Sequence, residues 1–160
     1  MKNLFEIIQK RNIYNEPFDY IYWENVVEVE EYDKLYENMH YFNGNVWTEW
    51  KTKYDLFHGK LLYDVQALSY DNECIALWFF TDRNDRGLKK DIELYSPTNS
   101  KRINRSANTF LFFKLSKEQQ IKISPPIKEH KFLRPCIQFN FPANIFKRQV
   151  SDKFKNYDSI

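Results

Sequence analysis

The 160-residue sequence has only three glycines, and none of them lies in a glycine-rich motif. Loops that cradle phosphates need clustered glycines, because the backbone must approach the anion closely. Three histidines and two cysteines stand at scattered positions, whereas a zinc site needs several such ligands at short spacing. The sequence therefore predicts no cofactor and no metal site. Together with the lack of a G-x-S-x-G motif, this favours a protein that is not an enzyme.

Long apolar runs are absent as well. No window approaches the roughly 18 apolar residues needed to cross a membrane. Near the start of the chain, Glu6 and Gln9 interrupt the apolar residues where a signal peptide would have a continuous apolar core. Cys74 lies in an apolar segment and Cys136 follows Pro135, and such a pair favours reduced thiols over a disulfide. We therefore expect a cytoplasmic protein with no membrane association.

Charged residues are abundant and unevenly distributed. Residues 1–100 contain 11 Lys+Arg and 18 Asp+Glu, whereas residues 101–160 contain 13 Lys+Arg and 4 Asp+Glu. Such asymmetry is a recognised indication of charged or polar partners. The alternative is that folding brings the two halves together into one mixed surface.

Apolar periodicity predicts helices early in the chain and strands later. Helical spacing occurs at residues 4–12, 24–41 and 45–57. Alternating or continuous apolar segments predict strands at residues 61–68, 74–80, 88–95, 109–115 and 132–141. Residues 83–87 resemble a hairpin loop, and residues 96–108 resemble a long polar loop.

Pro142 suits the first turn of a C-terminal helix. The length predicts one domain, residues 1–160. The expected fold is a single α+β domain with N-terminal helices, an antiparallel β-meander of about four to five strands and a C-terminal helix. Pro135 is expected to place the start of the last strand at an edge or a bulge.

Residues 45–57, NVWTEWKTKYDLF, fit two secondary structures. As a strand, the segment would place Glu49 and Lys51 on one face, at the E-x-K spacing with which metal-dependent nucleases hold Mg²⁺ and activate water. An upstream acidic residue such as Asp33 would then complete the ligand set. As a helix, Glu49 and Lys51 lie about 160° apart and no such site forms.

The helical interpretation has more support. Asn45 is a favourable N-terminal cap, and Gly59 is well placed as a left-handed residue after the last turn. The apolar side chains fall within an arc of about 100°, which is typical of a stripe facing the core. These side chains belong to Val46, Trp47, Trp50, Tyr54 and Phe57.

The predicted helix at 24–41 carries a dense acidic face. A surface of one sign attracts a partner of the opposite charge. Tyrosine and tryptophan, of which the chain has eleven and four, commonly anchor protein interfaces. The residues that we expect to contact a basic protein partner are Glu28, Glu31, Asp33 and Glu37. The sequence thus favours a small non-catalytic protein-binding module, such as an inhibitor of the toxin-neutralising immunity or anti-defence type.

The basic half of the chain supports an alternative function, nucleic-acid binding. Cationic side chains that converge on one surface bind phosphates. The candidates are Lys101, Arg102, Arg105, Lys147 and Arg148, and Phe110 or Tyr95 would stack on bases. If residues 45–57 were a strand, this function would extend to a metal-dependent nuclease of the E-x-K type. Asp82 and Asp85 follow a predicted central strand, and they are either metal ligands or, more commonly, ordinary loop residues.

Overall fold

The computed structural model describes residues 13–54, 59–63, 67–85, 90–123 and 135–142. These residues form an α+β structure in three layers, with a six-stranded antiparallel sheet between two helices and a four-stranded antiparallel sheet. The elements are β1 (Ile13–Tyr14), β2 (Tyr20–Glu24), α1 (Val29–Glu37), a 3₁₀ turn (Met39–Tyr41), α2 (Asn45–Tyr54), β3 (Lys60–Leu62), β4 (Ala67–Leu68), β5 (Glu73–Phe79), β6 (Ile92–Ser96), β7 (Asn99–Ile103), β8 (Thr109–Phe113), β9 (Gln120–Ile123) and β10 (Cys136–Pro142).

The six-stranded sheet has the strand order β1-β2-β8-β5-β10-β3. Strand β5 lies between β8 and β10, and its sequence, ECIALWF, is apolar at every position after the first. Because successive side chains point to opposite faces of a strand, Trp78 packs toward the helices, whereas Leu77 and Phe79 face the second sheet. The prediction of a central strand covered on both faces is confirmed.

The four-stranded sheet has the order β4-β9-β6-β7 and covers the face of β5 that the helices do not. Ile92 and Leu94 of β6 point inward together with Ile121 and Ile123 of β9. Strand β7 is an edge of this sheet, and β1 is an edge of the six-stranded sheet. A groove separates these two edges.

The predicted meander is wrong, because the strands divide between two sheets. Residues 83–87 do not connect paired strands, since β5 and β6 belong to different sheets. The predicted strand at 61–68 likewise divides into β3 of one sheet and β4 of the other. Residues 96–108 are not a continuous loop: β7 pairs with β6 through a tight turn at Pro97 and Thr98. Strand β7 is exposed and polar, so it has none of the apolar alternation that marks a half-buried strand.

The last strand also differs from the expectation. Strand β10 pairs with both β5 and β3, so it is an interior strand, and it begins immediately after Pro135. Pro142 is the last residue of β10, opposite Glu73. The predicted C-terminal helix beyond it, with Lys147 and Arg148, lies outside the described residues, as does the predicted helix at 4–12.

Helix α1 is shorter than predicted. Residues 24–41 contain the end of β2, helix α1 and the 3₁₀ turn. Residues 45–54 are helical, which confirms the helical interpretation for that part, and residues 55–57 lie outside the described residues. The N–H of Thr48 donates to the carbonyl oxygen of Gly44 (2.9 Å), so Gly44 caps α2 in place of Asn45. Neither α1 nor α2 is long and apolar enough to span a membrane.

Gly59 serves close packing and not the left-handed turn that was predicted. No glycine in the described ranges has a positive φ. A methyl group on its Cα would lie 2.6 Å from Cε1 of Phe139 and 3.0 Å from Cγ2 of Ile137. Both of these side chains are buried. Glycine therefore lets the chain approach β10 at the start of β3.

Charges of opposite sign lie in different layers of the described structure. Residues 28–54, which contain both helices, have six Asp+Glu and three Lys+Arg. Residues 90–123, which supply three strands of the four-stranded sheet, have seven Lys+Arg and three Asp+Glu. The helices and this sheet pack on opposite faces of the six-stranded sheet. The acidic and basic layers are therefore separated by the core.

Candidate functional site

Helix α2 does not assemble the E-x-K pattern into a site. Glu49 is exposed, whereas Lys51 is only 8% exposed. The Nζ atom of Lys51 donates a hydrogen bond to the carbonyl oxygen of Phe42 (2.9 Å) and lies 3.7 Å from the centre of the Phe42 ring. Burial lowers the pKa of Lys51. The lysine therefore packs α2 against the preceding turn, and the strand on which the nuclease hypothesis depended does not form.

Metal ligands do not converge elsewhere in the described ranges. No group of three or more His, Cys, Asp or Glu side chains within residues 13–54, 59–63, 67–85, 90–123 and 135–142 is placed to hold a metal ion. Asp82 and Asp85 lie in the turn after β5, where the N–H of Asn84 donates to Oδ1 of Asp82 (2.8 Å). Such a contact is typical of a loop aspartate.

The four acidic residues predicted to bind a partner do not form one patch. At about 100° per residue, Asp33 and Glu37 lie about 40° apart on α1, and Glu31 lies on the opposite flank. Glu31 faces a small depression beside α2, and Glu28 precedes the first residue of α1. The structure thus brings Asp33 and Glu37 together and places Glu28 and Glu31 elsewhere.

Asp33 and Glu37 border a pocket of about 250 Å³ between α1 and the residues that follow β5. We refer to it as the acidic pocket, and its lining residues are Tyr32, Asp33, Tyr36, Glu37, Asp82, Arg83 and Asn84. Three carboxylates thus face a single guanidinium. Asp85 adds a negative charge that acts on Tyr36, so the site as a whole is electronegative.

Aromatic rings give the acidic pocket a rigid wall. The ring of Tyr32 stacks on Phe80, with centroids 4.9 Å apart, and on Tyr36, with centroids 6.2 Å apart. The hydroxyl group of Tyr32 donates a hydrogen bond to the carbonyl oxygen of Thr81. Burial raises the pKa of Tyr32, so this hydroxyl remains a neutral donor. The pocket is held in shape by the core, which lowers the cost of ordering it when a ligand binds.

The charge of Asp33 is compensated, and that of Glu37 is not. Arg83 donates two hydrogen bonds to Asp33, from Nε to Oδ1 and from Nη2 to Oδ2, each 2.7 Å long. The hydrogen bond to Asp33 and the charge of that carboxylate raise the pKa of Arg83. Glu37 makes no hydrogen bond or ion pair with any other residue that the structure describes. Glu37 and the second oxygen of Asp82 are therefore the acceptors open to an incoming cation.

The acidic pocket continues into a second, less polar depression of about 210 Å³. The two sites share Tyr36 and Glu37, and the further lining residues of the second are Met39, His40, Tyr63 and Pro135. Tyr63 is 45% exposed, and Tyr41 on the same 3₁₀ turn as His40 is 70% exposed. Tyrosine is enriched at protein interfaces and commonly anchors them.

Of the residues predicted to bind nucleic acid, Lys147 and Arg148 lie outside the described residues, and the structure separates Arg105 from Lys101 and Arg102. Lys101 and Arg102 lie on the exposed edge strand β7. Arg105 is 3% exposed, and its Nη1 atom lies 3.5 Å from Oδ2 of Asp91. Its guanidinium also lies 5.5 Å from the centre of the Phe79 ring. The expectation that Arg105 contacts phosphate is therefore wrong for this fold, because the side chain belongs to the core.

The two aromatic residues proposed to stack on bases are in different environments. Phe110 is fully buried and is unavailable for stacking. Tyr95 is partly exposed on the outer face of the four-stranded sheet, where Nζ of Lys122 lies 5.1 Å from its ring centre. Neither residue lines a described pocket that contains Lys101 or Arg102.

Of the residues that line the acidic pocket, Asp33 and Glu37 were predicted from the sequence to bind a partner. The acidic residues of α1 were selected by their density, but Tyr36 and Arg83 were missed, and Asp82 was assigned to a loop. The available signal was the position of Asp82 directly after the apolar strand β5, which places it at the end of the sheet. No local pattern indicates that this end lies beside α1, because that neighbourhood follows from the three-layer packing.

Comparison with known proteins does not assign a function to this site. No protein-family model matches the sequence, and no curated protein is significantly similar to it. The geometry of the acidic pocket is therefore the basis for the function proposed below.

Proposed function

We propose that this protein is a small non-catalytic protein-binding module that holds a basic protein at the acidic pocket. The observation that carries the proposal is the uncompensated charge of that pocket, in which three carboxylates and one guanidinium surround two tyrosine rings. Binding without chemistry is the activity of an inhibitor, the class to which toxin-neutralising immunity proteins and anti-defence proteins belong.

The pocket suits an arginine or lysine side chain of the partner. Its nitrogen atoms would donate to Glu37 and to the second oxygen of Asp82, and hydrogen bonds between two charged groups are stronger than neutral ones. The ring of Tyr36 supplies a surface for a cation–π contact, which is worth roughly 0.5–2 kcal/mol depending on desolvation. The Arg83–Asp33 pair closes one side of the site and fixes the orientation of the loop.

The second depression supplies the apolar part of the interface. A residue next to the partner's cation would pack against Met39 and Tyr63, while Tyr36 contacts both side chains. Electrostatic attraction by the acidic layer would accelerate the encounter, and salt would slow it. The proposed partner is therefore a protein that exposes a basic residue beside an apolar one.

We further propose that the protein acts in the cytoplasm. Cys74 and Cys136 are both free and buried. They pack into cores on opposite faces of the six-stranded sheet, so they do not meet. Buried free thiols are usual in a reducing compartment.

The proposal is tested by affinity capture from the native host, with each extract divided into nuclease-treated and untreated halves. The variant is Glu37→Lys, and the matched control is Glu30→Lys, an exposed position of the same helix outside the pocket. We expect one protein to be retained in stoichiometric amount by the wild type and by Glu30→Lys after nuclease treatment. Glu37→Lys should bind it at least about tenfold more weakly.

Two results would contradict the proposal. One is an equal loss of the partner with both charge reversals, since that would indicate diffuse attraction to the acidic layer. The other is the capture of nucleic acid as the main companion, with no protein left after nuclease treatment.

A further inference from the structure

A groove of about 260 Å³ lies between the edge strands of the two sheets and shares no residue with the acidic pocket. Strands β1 and β2 form one side, and β7, Asn104 and Lys90 form the other. Its lining residues are Tyr14, Tyr20, Tyr22, Glu24, Lys90, Lys101, Arg102, Ile103 and Asn104. We refer to it as the tyrosine groove, because three tyrosines line it opposite Lys90 and Lys101; Glu24 is the one carboxylate in this lining.

The tyrosine side of the groove is fixed in place. Tyr14 stacks on Tyr20 with ring centroids 5.3 Å apart and an interplanar angle of 14°, and Tyr14 remains 39% exposed. The hydroxyl of Tyr22 donates a hydrogen bond to the carbonyl oxygen of Asn104 (2.8 Å), which ties the two sides together. Burial, together with the charge of Glu24, raises the pKa of Tyr22 to about 12. The tyrosines therefore add no negative charge at neutral pH.

Lys101 enters the groove because of the register of the edge strand. Lys101 pairs with Leu94, whose side chain faces the core, so Lys101 lies on the inner side of the four-stranded sheet. At the sheet edge it extends toward the tyrosines, with Nζ 5.3 Å from the centre of the Tyr14 ring. The backbone N–H of Lys90 donates to Oδ1 of Asn104 (2.9 Å), which anchors the second lysine at the groove.

An inward-pointing lysine also protects an edge strand from pairing with another chain. That role accounts for Lys101 alone. Arg102 is paired with Glu93 on the outer face of the sheet, where its Nη2 atom lies 3.6 Å from Oε2 of Glu93. Neither arrangement accounts for the exposed stacked ring or for Lys90 beside the same cavity. A ligand that combines an aromatic ring with negative charge would contact the ring and both lysines at once.

We propose that the tyrosine groove binds a nucleotide unit of single-stranded nucleic acid. The base stacks on the exposed ring of Tyr14, and the adjoining phosphates contact Lys101 and Lys90. Proteins that bind single strands combine aromatic stacking with a basic track for the backbone. The volume is below the range of typical drug-sized sites and suits a single base.

The probe is a fluorescein-labelled thymidine oligonucleotide of about ten nucleotides, a length within the range of known single-strand sites. Its binding to the full-length protein is followed by fluorescence anisotropy at several salt concentrations, and thymidine 5′-monophosphate serves as competitor. The variants are Tyr14→Ala, Tyr14→Phe and Lys101→Gln. The matched control is Lys122→Gln, which removes an equal charge lying 5.1 Å from an exposed tyrosine ring on the same sheet, away from the groove.

We expect Tyr14→Ala to weaken binding roughly fivefold to a hundredfold and Tyr14→Phe to retain most of it, because stacking needs the ring and not the hydroxyl. Lys101→Gln should weaken binding and reduce the slope of log K against log salt by about 0.7. Lys122→Gln should change neither quantity. Lys101 is exposed, so its variant remains informative even if Tyr14→Ala disturbs the short edge strand.

The competitor identifies the source of the ligand. The groove would be assigned to a free nucleotide if the mononucleotide competed efficiently and the oligonucleotide bound no more tightly than the mononucleotide. In that case the affinity for the mononucleotide should fall in the Tyr14→Ala and Lys101→Gln variants. The proposal is overturned if the oligonucleotide does not bind at low salt. It is equally overturned if Lys101→Gln and Lys122→Gln weaken binding by the same factor.

Discussion

Asn108 and Val27 are joined by two hydrogen bonds: Nδ2 of Asn108 donates to the carbonyl oxygen of Val27 (2.7 Å), and the N–H of Val27 donates to Oδ1 of Asn108 (3.3 Å). The indole N–H of Trp78 donates to the same Oδ1 atom (3.3 Å). The backbone N–H of Asn108 donates to the carbonyl oxygen of Phe79 (3.0 Å). One buried residue thus connects the segment before α1 with the centre of the sheet.

Replacing Asn108 should destabilise the fold. Asn108→Ala leaves the buried polar groups of Val27 and Trp78 without their partner, and it places alanine at a φ of 60°, a conformation that asparagine tolerates better. We expect the free energy of unfolding, measured in urea, to fall by about 2–4 kcal/mol. Asn108→Gly removes the backbone strain at this φ, so its loss of unfolding free energy should be smaller than that of Asn108→Ala. A loss below about 1 kcal/mol in Asn108→Ala would contradict a structural role for this side chain.

Gly59→Ala should also destabilise the protein, because a methyl group there would meet the ring of Phe139 at 2.6 Å. The expected cost is about 1–3 kcal/mol, the usual range for overpacking a core. The origin of the cost is tested by a double-mutant cycle with Phe139→Leu, which removes the ring. Gly59→Ala should cost less in the Phe139→Leu background than in the wild type. Simple additivity of the two losses would show that the ring is not the obstacle.

Lys51 and Glu49 should differ sharply in their contributions to stability. Lys51→Ala removes a buried lysine that donates a hydrogen bond to Phe42 and covers its ring, and we expect a loss of about 1–3 kcal/mol. Glu49→Ala removes an exposed side chain and should change the free energy of unfolding by less than about 0.5 kcal/mol. Thermal and urea unfolding of the two variants measure this difference. Equal losses would contradict the packing role assigned to Lys51.

Cys136 should make stability fall at alkaline pH. Burial raises the pKa of its thiol from 9.0 to about 12, although the charge of Arg105 lowers it. Above about pH 9 the unfolded chain loses this proton while the folded protein keeps it. The contribution of the Cys136 thiol to the free energy of unfolding is therefore complete below pH 9. Above that pH it decreases by about 1.4 kcal/mol per pH unit until the pH reaches the pKa of the thiol in the folded protein.

Urea unfolding of the wild type and of Cys136→Ala, under reducing conditions, tests this dependence. The difference in stability between the two proteins should be constant from about pH 7 to pH 8.5. It should shift by about 1 kcal/mol in favour of the variant near pH 10, because alanine has no proton to lose. Parallel pH profiles up to pH 10 would show that the Cys136 thiol does not titrate as its burial implies.

The α+β class and the most buried elements could be predicted from local patterns. Trp47 and Trp50 recur at helical spacing, and both are buried, as the stripe on residues 45–57 predicted. Strand β5 was recognisable because a continuous apolar run of strand length fits only a position covered on both faces. In these segments the residues that the local pattern predicts to be buried are the ones that the tertiary packing buries.

The division of the strands between two sheets could not be predicted in the same way. Lys101 and Arg102 made residues 96–108 resemble a loop, yet they belong to a strand whose polarity reflects its position at an edge. Arg105 resembled its exposed neighbours, and its burial follows from tertiary contacts with Asp91 and the Phe79 ring. The acidic pocket depends on the contact between α1 and the end of β5. Charge density on α1 indicated which residues were relevant, and it did not indicate which of them would meet.

The strand order has a consequence for how the chain acquires its structure during synthesis. In the six-stranded sheet, β1 and β2 are the one described neighbouring pair formed by strands that are consecutive in the chain. Strand β2 pairs with β8, more than eighty residues later, and β5 gains its second neighbour when β10 is complete at Pro142. Pairings between distant segments slow folding, because long loops must close before the contacts form. The apolar strand β5 is therefore synthesised before either of its neighbours, since β8 ends at Phe113 and β10 at Pro142. It is the segment that a chaperone would shield during that interval.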